Sequence, residues 1–167
     1  MRHCLLLASL AALAAATLPA HAQHAHGEGS LDVVIDKDSI AINLALPLDA
    51  AVGFERAPKN EREKAALAAA EKTLGDASLF VPSAAANCKA EAPRVVMPAF
   101  GTKAGHDEHA DIDASYAYRC ANPAALKGIE TTIFKQFKRL YRLEARRVGP
   151  AGQGKQRLTP KSPLLKW

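Results

Sequence analysis

The nine residues GHDEHADID, from Gly105 to Asp113, hold a high density of side chains that could bind a metal ion. They include two histidines and four carboxylates, in a chain that has six histidines in all. Imidazole nitrogen with carboxylate oxygen is a common donor set for Zn²⁺, and it also suits Cu²⁺ and Ni²⁺. The alternative is a solvated acidic turn, because short clusters of this kind also arise by chance. The candidate donors are His106, Asp107, Glu108, His109, Asp111 and Asp113.

A second histidine cluster lies near the amino terminus, in QHAHGEGSLD from Gln23 to Asp32. In an extended chain its donors alternate with the apolar residues of the strand that follows, so they share one polar face. These donors are His24, His26, Glu28 and Asp32. Beyond residue 22, every histidine lies in one of the two clusters. We therefore predict that both segments meet on one sheet and share a metal site, with donors left for a second, weaker one.

The first 22 residues have the three-part layout of a secretory signal peptide. A short basic start precedes an apolar run from Leu5 to Leu18, and Ala20 and Ala22 occupy the positions that signal peptidase reads. The run is about 14 residues long, short of the roughly 20 that a membrane-spanning helix needs, and no later segment is long enough either. We therefore expect cleavage after Ala22 and a soluble protein in the periplasm.

Cleavage at this point would also create a different metal chelate. The free amine of Gln23 beside His24 is a good Cu²⁺ ligand pair, although cyclisation of Gln23 would abolish it. A periplasmic copper- or nickel-binding protein is thus an alternative to a zinc-binding protein.

Two cysteines, Cys88 and Cys120, remain once Cys4 leaves with the signal peptide. In an oxidising compartment such a pair forms a disulfide more readily than a thiolate metal site. A disulfide here would close a loop of about 30 residues and stabilise the fold by very roughly 3 kcal/mol.

The remaining motifs do not indicate an enzyme. GEGS at residues 27–30 lacks the serine between two glycines of a nucleophile elbow, and GPAGQG at residues 149–154 lacks the spacing of a phosphate loop. A hydrolytic zinc enzyme needs a positioned base, and nothing in the sequence fixes Glu28 or Glu108 in that role. We predict a binding protein rather than an enzyme.

The formal net charge is +5, and its basic excess gathers in KQFKRLYRLEARR, from Lys135 to Arg147. Such a stretch can bind nucleic acid, but an exported protein has no such partner and no aromatic platform accompanies the charge. A solvated face is the main interpretation. A non-metal interaction domain that docks an acidic partner is the alternative.

The elements that must position the donors follow from residue periodicity. Alternation predicts a β-hairpin from Ser30 to about Leu46, with its turn at Lys37-Asp38. Asn60, followed three residues later by Glu63, predicts the capped start of an alanine-rich helix that ends before Gly75.

The second half of the chain is also rich in predicted strands. The clearest alternation runs from Ala110 to Cys120, and Asn87 to Met97 predicts an edge strand interrupted by Pro93. Further predicted elements are a short helix that starts at 122–124, strands at 129–134 and 141–148 around a basic helical turn, and closing strands after a glycine-rich turn.

Together these elements predict a single α+β domain dominated by antiparallel β-sheet, with one Ala-rich helix and short helices packed on it. The predicted organisation is a cleaved signal peptide at residues 1–22, a flexible histidine-bearing leader at 23–29 and one metal-binding domain at 30–167.

The order of these segments resembles the ZrgA-like family of bacterial periplasmic zinc-binding proteins, long catalogued as a domain of unknown function. The resemblance is carried, in order, by HAHG at 24–27, GFE at 53–55, HAD at 109–111 and RCANP at 119–123. It implies a protein that binds Zn²⁺ and assists its acquisition beside or upstream of a zinc ABC importer or its solute-binding protein.

Two departures from that family bear on the metal. A long His/Asp-rich insertion is shortened here to GHDEHAD, which implies fewer bound ions. The family also tends to place a histidine after Gly-Phe-Glu, where this chain has Arg56, so its affinity or metal preference would differ.

Overall fold

The computed structural model describes residues 26–100 and 110–167. The predicted signal peptide and residues 23–25 of the predicted leader lie outside the described residues. Within the described ranges the chain forms ten β-strands and three α-helices, and the predicted α+β domain dominated by antiparallel sheet is confirmed.

The ten strands of the described residues form two sheets. The seven strands of the main sheet are β1 (Glu28–Asp36), β2 (Ser39–Pro47), β4 (Cys88–Ala90), β5 (Arg94–Val96), β6 (Asp111–Cys120), β8 (Arg142–Gly149) and β9 (Gly152–Leu158). The smaller sheet contains β3 (Phe80–Pro82), β7 (Gly128–Thr131) and β10 (Leu164–Lys166). The helices are α1 (Leu48–Val52), α2 (Glu61–Leu74) and α3 (Ile133–Gln136), with short 3₁₀ turns at Ala77–Leu79, Ala84–Ala86 and Pro123–Ala125.

The strands β1 and β2 form the predicted hairpin, and its turn at Lys37-Asp38 is confirmed. Lys37 takes a left-handed conformation there, with φ 51°. Apolar residues of both strands alternate with polar ones and are buried, as a sheet with one solvated face requires. β6 pairs antiparallel with β2 on the other side, so the order in the main sheet is β4-β6-β2-β1-β8-β9.

One pairing in this sheet was not predicted. β1 pairs parallel with β8, from Glu28 opposite Arg142 to Val34 opposite Val148. Alternation identifies a strand and its buried face but carries no information about which neighbour it selects, so a parallel pairing across more than 100 residues is invisible in the pattern.

The predicted edge strand is confirmed in two pieces. β4 and β5 both pair with β6, and the break between them contains Pro93, which has no N–H to donate to a ladder. Cys88 lies directly opposite Cys120, with 3.8 Å between the Cα atoms, and the two form the predicted disulfide.

The alanine-rich helix α2 begins and ends where the capping pattern predicts. Oδ1 of Asn60 accepts a hydrogen bond of 3.0 Å from the backbone N–H of Glu63. The Glu63 carboxylate reaches back to the N–H of Lys59 rather than to that of Asn60. At the other end the buried hydroxyl of Tyr116 donates to the carbonyl oxygen of Leu74 at 2.8 Å, which ties the helix to β6.

The segment from Ile129 to Phe134 differs from its prediction as a continuous strand. β7 ends at Thr131, and the next residues form the short helix α3. Oγ1 of the buried Thr131 accepts from the N–H of Ile133 and donates to the carbonyl oxygen of Leu79, which ends the ladder. Ile133 and Phe134 are buried in either conformation, so their hydrophobicity alone did not distinguish strand from helix.

The core lies between the inner face of the main sheet, α2 and the smaller sheet. The aromatic pair Phe80 and Tyr116, with ring centroids 4.9 Å apart, joins the two sheets. In the part of the chain that the structure describes, no helix is long and apolar enough to cross a bilayer.

Candidate metal centre

Three donor side chains meet at one end of the β1–β2 hairpin. Nδ1 of His26 lies 2.9 Å from Oδ2 of Asp49 and 3.8 Å from Oε1 of Glu55. One ligand atom from each of the three lies within 4.8 Å of the other two. We refer to His26, Asp49 and Glu55 as the acidic cluster.

The hairpin brings the segments that carry His26 and Asp49 to the same end of the main sheet. Ser30 lies opposite Ala45, and each step outward along β1 matches one step further along β2. His26 precedes the start of β1, and Asp49 lies in α1, directly after the end of β2, so both residues lie just beyond the paired part of the hairpin. Their approach depends on the turn at Lys37-Asp38, since moving that turn by one residue would change every pair of the hairpin.

Two glycines in left-handed conformations direct the chain into the cluster. Gly27, with φ +73°, separates His26 from β1, and a Cβ there would lie 2.5 Å from Cε1 of Tyr141. Gly53, with φ +89°, ends α1 and donates its N–H to the carbonyl oxygen of Asp49 at 2.8 Å. Other residues adopt such φ values rarely, so both turns depend on glycine. The turn at Gly53 brings Glu55 back toward Asp49.

The cluster combines an exposed imidazole with two shielded carboxylates. The side chain of His26 is 75% exposed, while those of Asp49 and Glu55 are 16% and 22% exposed. Oδ1 of Asp49 is buried and has no hydrogen-bond partner among the described residues. A buried carboxylate oxygen without a donor is unfavourable, and a bound cation would compensate it.

The spacing of the three donors is close to the spacing that a zinc ion requires. Zn²⁺ binds nitrogen and oxygen at about 2.0–2.2 Å in a tetrahedron, which puts neighbouring donor atoms roughly 3.3–3.6 Å apart. The distances from His26 to Asp49 and Glu55, 2.9 and 3.8 Å, lie on either side of that separation. Three protein donors would leave a fourth position for water or for another side chain.

Of the donors predicted near the amino terminus, the structure brings His26 into the cluster and not Glu28 or Asp32. The carboxylate of Glu28 accepts a hydrogen bond from the hydroxyl of Tyr141 at 3.0 Å and forms an ion pair with Arg142. Asp32 accepts two hydrogen bonds from Arg146, of 2.6 and 2.8 Å. Both carboxylates thus form ion pairs that join β1 to β8 on the solvated face of the sheet. His24 lies outside the described residues.

The predicted donors of the GHDEHADID segment fall on both sides of the described boundary. Asp111 is half-buried at the start of β6, opposite Pro47, and Asp113 is exposed two residues further on. The carbonyl oxygen of Ala110 accepts a hydrogen bond of 2.8 Å from the N–H of Leu48, so β6 begins directly beside the helix that carries Asp49. The predicted donors His106, Asp107, Glu108 and His109 lie outside the described residues.

The sequence pattern did not identify Asp49 and Glu55 as donors. Neither lies near a second histidine or carboxylate along the chain, which is the signal that singled out the other segments. The predicted hairpin could have pointed to Asp49, because it brings the residues before its first strand close to those after its second strand. Glu55 belongs to the Gly-Phe-Glu turn of the family resemblance but was not assigned a role.

Arg56, where the resembling family tends to have histidine, serves the helix α2. Its guanidinium donates to both carboxylate oxygens of Glu63, at 2.7 and 2.8 Å, and lies 5.0 Å from the ring centroid of Phe54. The hydrogen bond from Arg56 is the largest cause that lowers the pKa of Glu63 to about 2. This side chain is therefore a structural cation beside the acidic cluster and not a ligand.

The fold and the acidic cluster together define a single-domain α+β protein with a candidate site for a divalent metal ion. The chain belongs to the ZrgA family of zinc uptake proteins, whose family model matches residues 23–167, and the resemblance predicted from the sequence is confirmed. All three residues of the acidic cluster lie within the matched range. No curated protein shows a significant match to the chain.

Proposed function

We propose that this protein binds Zn²⁺ in the periplasm through the acidic cluster and passes the ion toward a zinc importer, without catalysing a reaction. The single observation that carries the proposal is the convergence of His26, Asp49 and Glu55 in a chain of the zinc uptake family. An imidazole nitrogen beside carboxylate oxygens favours Zn²⁺ over Ca²⁺ or Mg²⁺, which prefer sites built from oxygen alone.

The exposure of the cluster supports transport of the ion as cargo. His26 is the most exposed of the three donors, so it can release and rebind while the ion stays on the shielded carboxylates. A structural zinc site is closed by four protein ligands, whereas three donors at the surface leave a position through which the ion can pass to another protein.

We also propose His109 and His106 as further donors, with Asp107, Glu108 and Asp111 in support. Two observations favour this extension. β6 starts beside α1, and the chain enters β6 through Ala110, whose carbonyl oxygen bonds to Leu48 next to Asp49. A second imidazole would complete the donor set of a four-coordinate site.

Three observations support the periplasmic location and the importer as partner. The family takes part in zinc uptake, the sequence predicts a signal peptide, and the disulfide between Cys88 and Cys120 suits an oxidising compartment.

Docking of an acidic partner by the basic stretch from Lys135 to Arg147 receives no support from the structure of that stretch. Arg142 and Arg146 are ion-paired with Glu28 and Asp32, and Arg147 points to the opposite, buried face. The three arginines of β8 therefore do not form one continuous basic surface, and the exposed cations of the stretch, Lys135, Lys138 and Arg139, precede that strand.

The proposal is tested by equilibrium competition against a chromophoric zinc chelator, using untagged protein that starts at Gln23. We expect His26→Ala and Asp49→Asn each to weaken Zn²⁺ binding by about tenfold or more, because each removes one ligand. Glu28→Gln and Asp113→Asn are matched controls outside the cluster and should leave the affinity unchanged. If His26→Ala and Asp49→Asn bind Zn²⁺ as tightly as the parent, the acidic cluster is not the site.

The contribution of the loop is separated by the double variant His106→Ala/His109→Ala. A loss of affinity at unchanged stoichiometry indicates one shared site, and a loss of one ion indicates a second site. Parallel titration with Cu²⁺ tests the copper alternative. Blocking the amino terminus should abolish the chelate formed by the amine of Gln23 and His24 and leave binding at the acidic cluster unchanged. A higher affinity for Cu²⁺ than for Zn²⁺ in vitro does not decide the question, since most nitrogen-containing sites show it.

A further inference from the structure

Arg147 is a buried cation that forms no ion pair with a carboxylate of the described residues. It is 7% exposed and occupies a position on the inner face of β8, in line with the buried Leu143 and Ala145. Its Nη1 donates to the carbonyl oxygen of Gly152 at 2.8 Å, and its guanidinium lies 5.1 Å from the ring centroid of Trp167. Among the described residues no carboxylate forms an ion pair with it, in contrast to its neighbour Arg146.

A guanidinium in this position has unused hydrogen-bonding capacity. It carries five N–H donors, and one of them accounts for the bond to Gly152. Burying a charge without a counter-charge is costly, and stacking on one aromatic ring compensates only part of the lost hydration. An anion supplied from outside the chain would satisfy the remaining donors.

Arg147 lines a surface cavity of about 270 Å³ that could admit such an anion. Two more cations, Lys37 and Lys127, line the same cavity, and within residues 26–100 and 110–167 no aspartate or glutamate does. The rest of the lining is apolar and includes Ile35, Leu126 and Trp167. We refer to this cavity as the basic pocket.

The basic pocket is separate from the acidic cluster. Ile35 and Lys37 lie at the end of β1, whereas His26 precedes its start. A strand of nine residues spans about 30 Å, so the two sites lie at opposite ends of the sheet. The basic pocket therefore cannot contribute ligands to the same metal ion.

We propose that the basic pocket binds a small organic acid, with its carboxylate on Arg147 and an apolar body against Ile35, Leu126 and Trp167. Guanidinium matches a carboxylate in charge and in the spacing of its donors, which makes it the side chain of choice for such recognition. The apolar lining favours an acid with a hydrocarbon part over a fully hydrated inorganic anion. The volume limits the ligand to a molecule of modest size.

Trp167 makes the test direct, because it is the only tryptophan in the chain and lines the basic pocket. Its fluorescence is followed while untagged protein starting at Gln23 is titrated with sodium hexanoate at constant ionic strength. Hexanamide serves as the neutral isostere, and sodium phosphate serves as an anion without an apolar body. We expect a saturable change with hexanoate, and binding of hexanamide and of phosphate at least about tenfold weaker.

The role of Arg147 is tested by Arg147→Met, which keeps the aliphatic stem and removes the charge. We expect at least about a tenfold loss of hexanoate affinity, measured by calorimetry as well as fluorescence. Arg146→Met is the matched control, one residue away on the opposite, exposed face, and should bind hexanoate like the parent. Should Arg147→Met fail to fold, Lys127→Gln alters an exposed residue of the same pocket and should weaken hexanoate binding severalfold.

Three results would overturn the proposal. The first is no saturable response to hexanoate up to about 10 mM, which corresponds to less than about 3 kcal/mol of binding. The second is equal binding of hexanoate and hexanamide, or of hexanoate and phosphate. The third is unchanged hexanoate affinity in folded Arg147→Met. None of these results depends on whether the acidic cluster binds Zn²⁺, so the two proposals fail separately.

Discussion

At the scale of single residues, the candidate metal site depends on backbone conformation as much as on ligand chemistry. Gly27 directly follows His26, and Gly53 lies between Asp49 and Glu55 along the chain. Both glycines adopt positive φ values, and the turns that they form bring the three side chains together. One metal-binding side chain can be replaced by another at a modest cost in affinity. The turns that orient these side chains, however, accept few residues besides glycine.

Gly27→Ala tests this dependence. We expect the substitution to lower the free energy of unfolding by about 2 kcal/mol or more and to weaken Zn²⁺ binding, since it combines an unfavourable φ with a clash. The added Cβ would lie 2.5 Å from the Tyr141 ring and 2.7 Å from the carbonyl oxygen of Arg139. Urea denaturation and the chelator competition measure the two effects.

Gly152→Ala is the control for the backbone contribution. Gly152 has a similar φ of +86°, but a Cβ there would meet nothing within 4 Å. We expect a loss of only about 1 kcal/mol and no change in Zn²⁺ affinity. Equal effects of the two substitutions would contradict a specific role for the contact between Gly27 and Tyr141.

At the scale of elements, the helix α2 is held at its start by a small network rather than by its N-cap alone. Glu63 accepts hydrogen bonds from Arg56 and from the N–H of Lys59, while its own N–H donates to Asn60. The network joins the helix to the loop that carries Glu55, and so connects the start of α2 to the acidic cluster.

The network should make stability depend on pH in a definite direction. Hydrogen bonds from Arg56 and Lys59 lower the pKa of Glu63 to about 2, from an ordinary value of 4.5. A lowered folded-state pKa stabilises the fold above the unfolded-state pKa, and that contribution is lost as the pH falls through the folded-state value. We therefore expect Glu63→Gln to lower Tm at pH 7, and the difference from the parent to shrink between about pH 4.5 and pH 2.

Thermal unfolding across this pH range is the measurement, and Glu61→Gln is its control. Glu61 lies on the same helical turn, but its side chain is 89% exposed and pairs with Lys64. Exposed pairs of this kind contribute little, so a small shift in Tm is expected. A Tm difference for Glu63→Gln that stays constant down to pH 2 would show that the carboxylate charge is not responsible.

At the scale of the whole molecule, the acidic cluster and the basic pocket lie at opposite ends of the main sheet. The acidic cluster lies where β1 begins and β2 ends, and the basic pocket lies where β1 ends. β6 runs the full distance between them, from Asp111 beside Pro47 to Cys120, whose N–H donates to the carbonyl oxygen of Asp38 in the hairpin turn. The disulfide is thus at the end remote from the acidic cluster.

The position of the disulfide predicts a loss of stability without a loss of metal binding. It joins cysteines 32 residues apart, and on the chain-entropy model its removal destabilises the fold by about 3–4 kcal/mol. We expect Cys88→Ser/Cys120→Ser to lower Tm, as measured by circular dichroism, while Zn²⁺ affinity in the folded variant stays at the parent value. The single variant Lys89→Ala in the same strand controls for disturbance of β4. Weaker Zn²⁺ binding in the folded double variant would place the metal site closer to this end of the sheet.

Local pattern accounts for most of the elements but for only part of the site. The turn at Lys37-Asp38, the cap at Asn60 and the alternation from Ala110 to Cys120 each depend on residues close in sequence, so composition and spacing were enough to predict them. His26 was singled out for the same reason, as a histidine beside another. The pairing of Cys88 with Cys120 followed from there being no other candidates in an oxidising compartment.

The choice of partners across the sheet was decided by the tertiary structure. Glu28 is an equally good ligand by chemistry, but it lies next to Arg142 because β8 docks parallel to β1. Asp49 contacts His26 instead, because α1 follows β2 at the end of the sheet where β1 begins. Arg147 belongs to a basic run by composition, yet its place in the alternation of β8 turns it inward, away from Arg146. Periodicity determines which face a side chain occupies, but its neighbours on that face come from strands distant in sequence, and only the folded chain selects them.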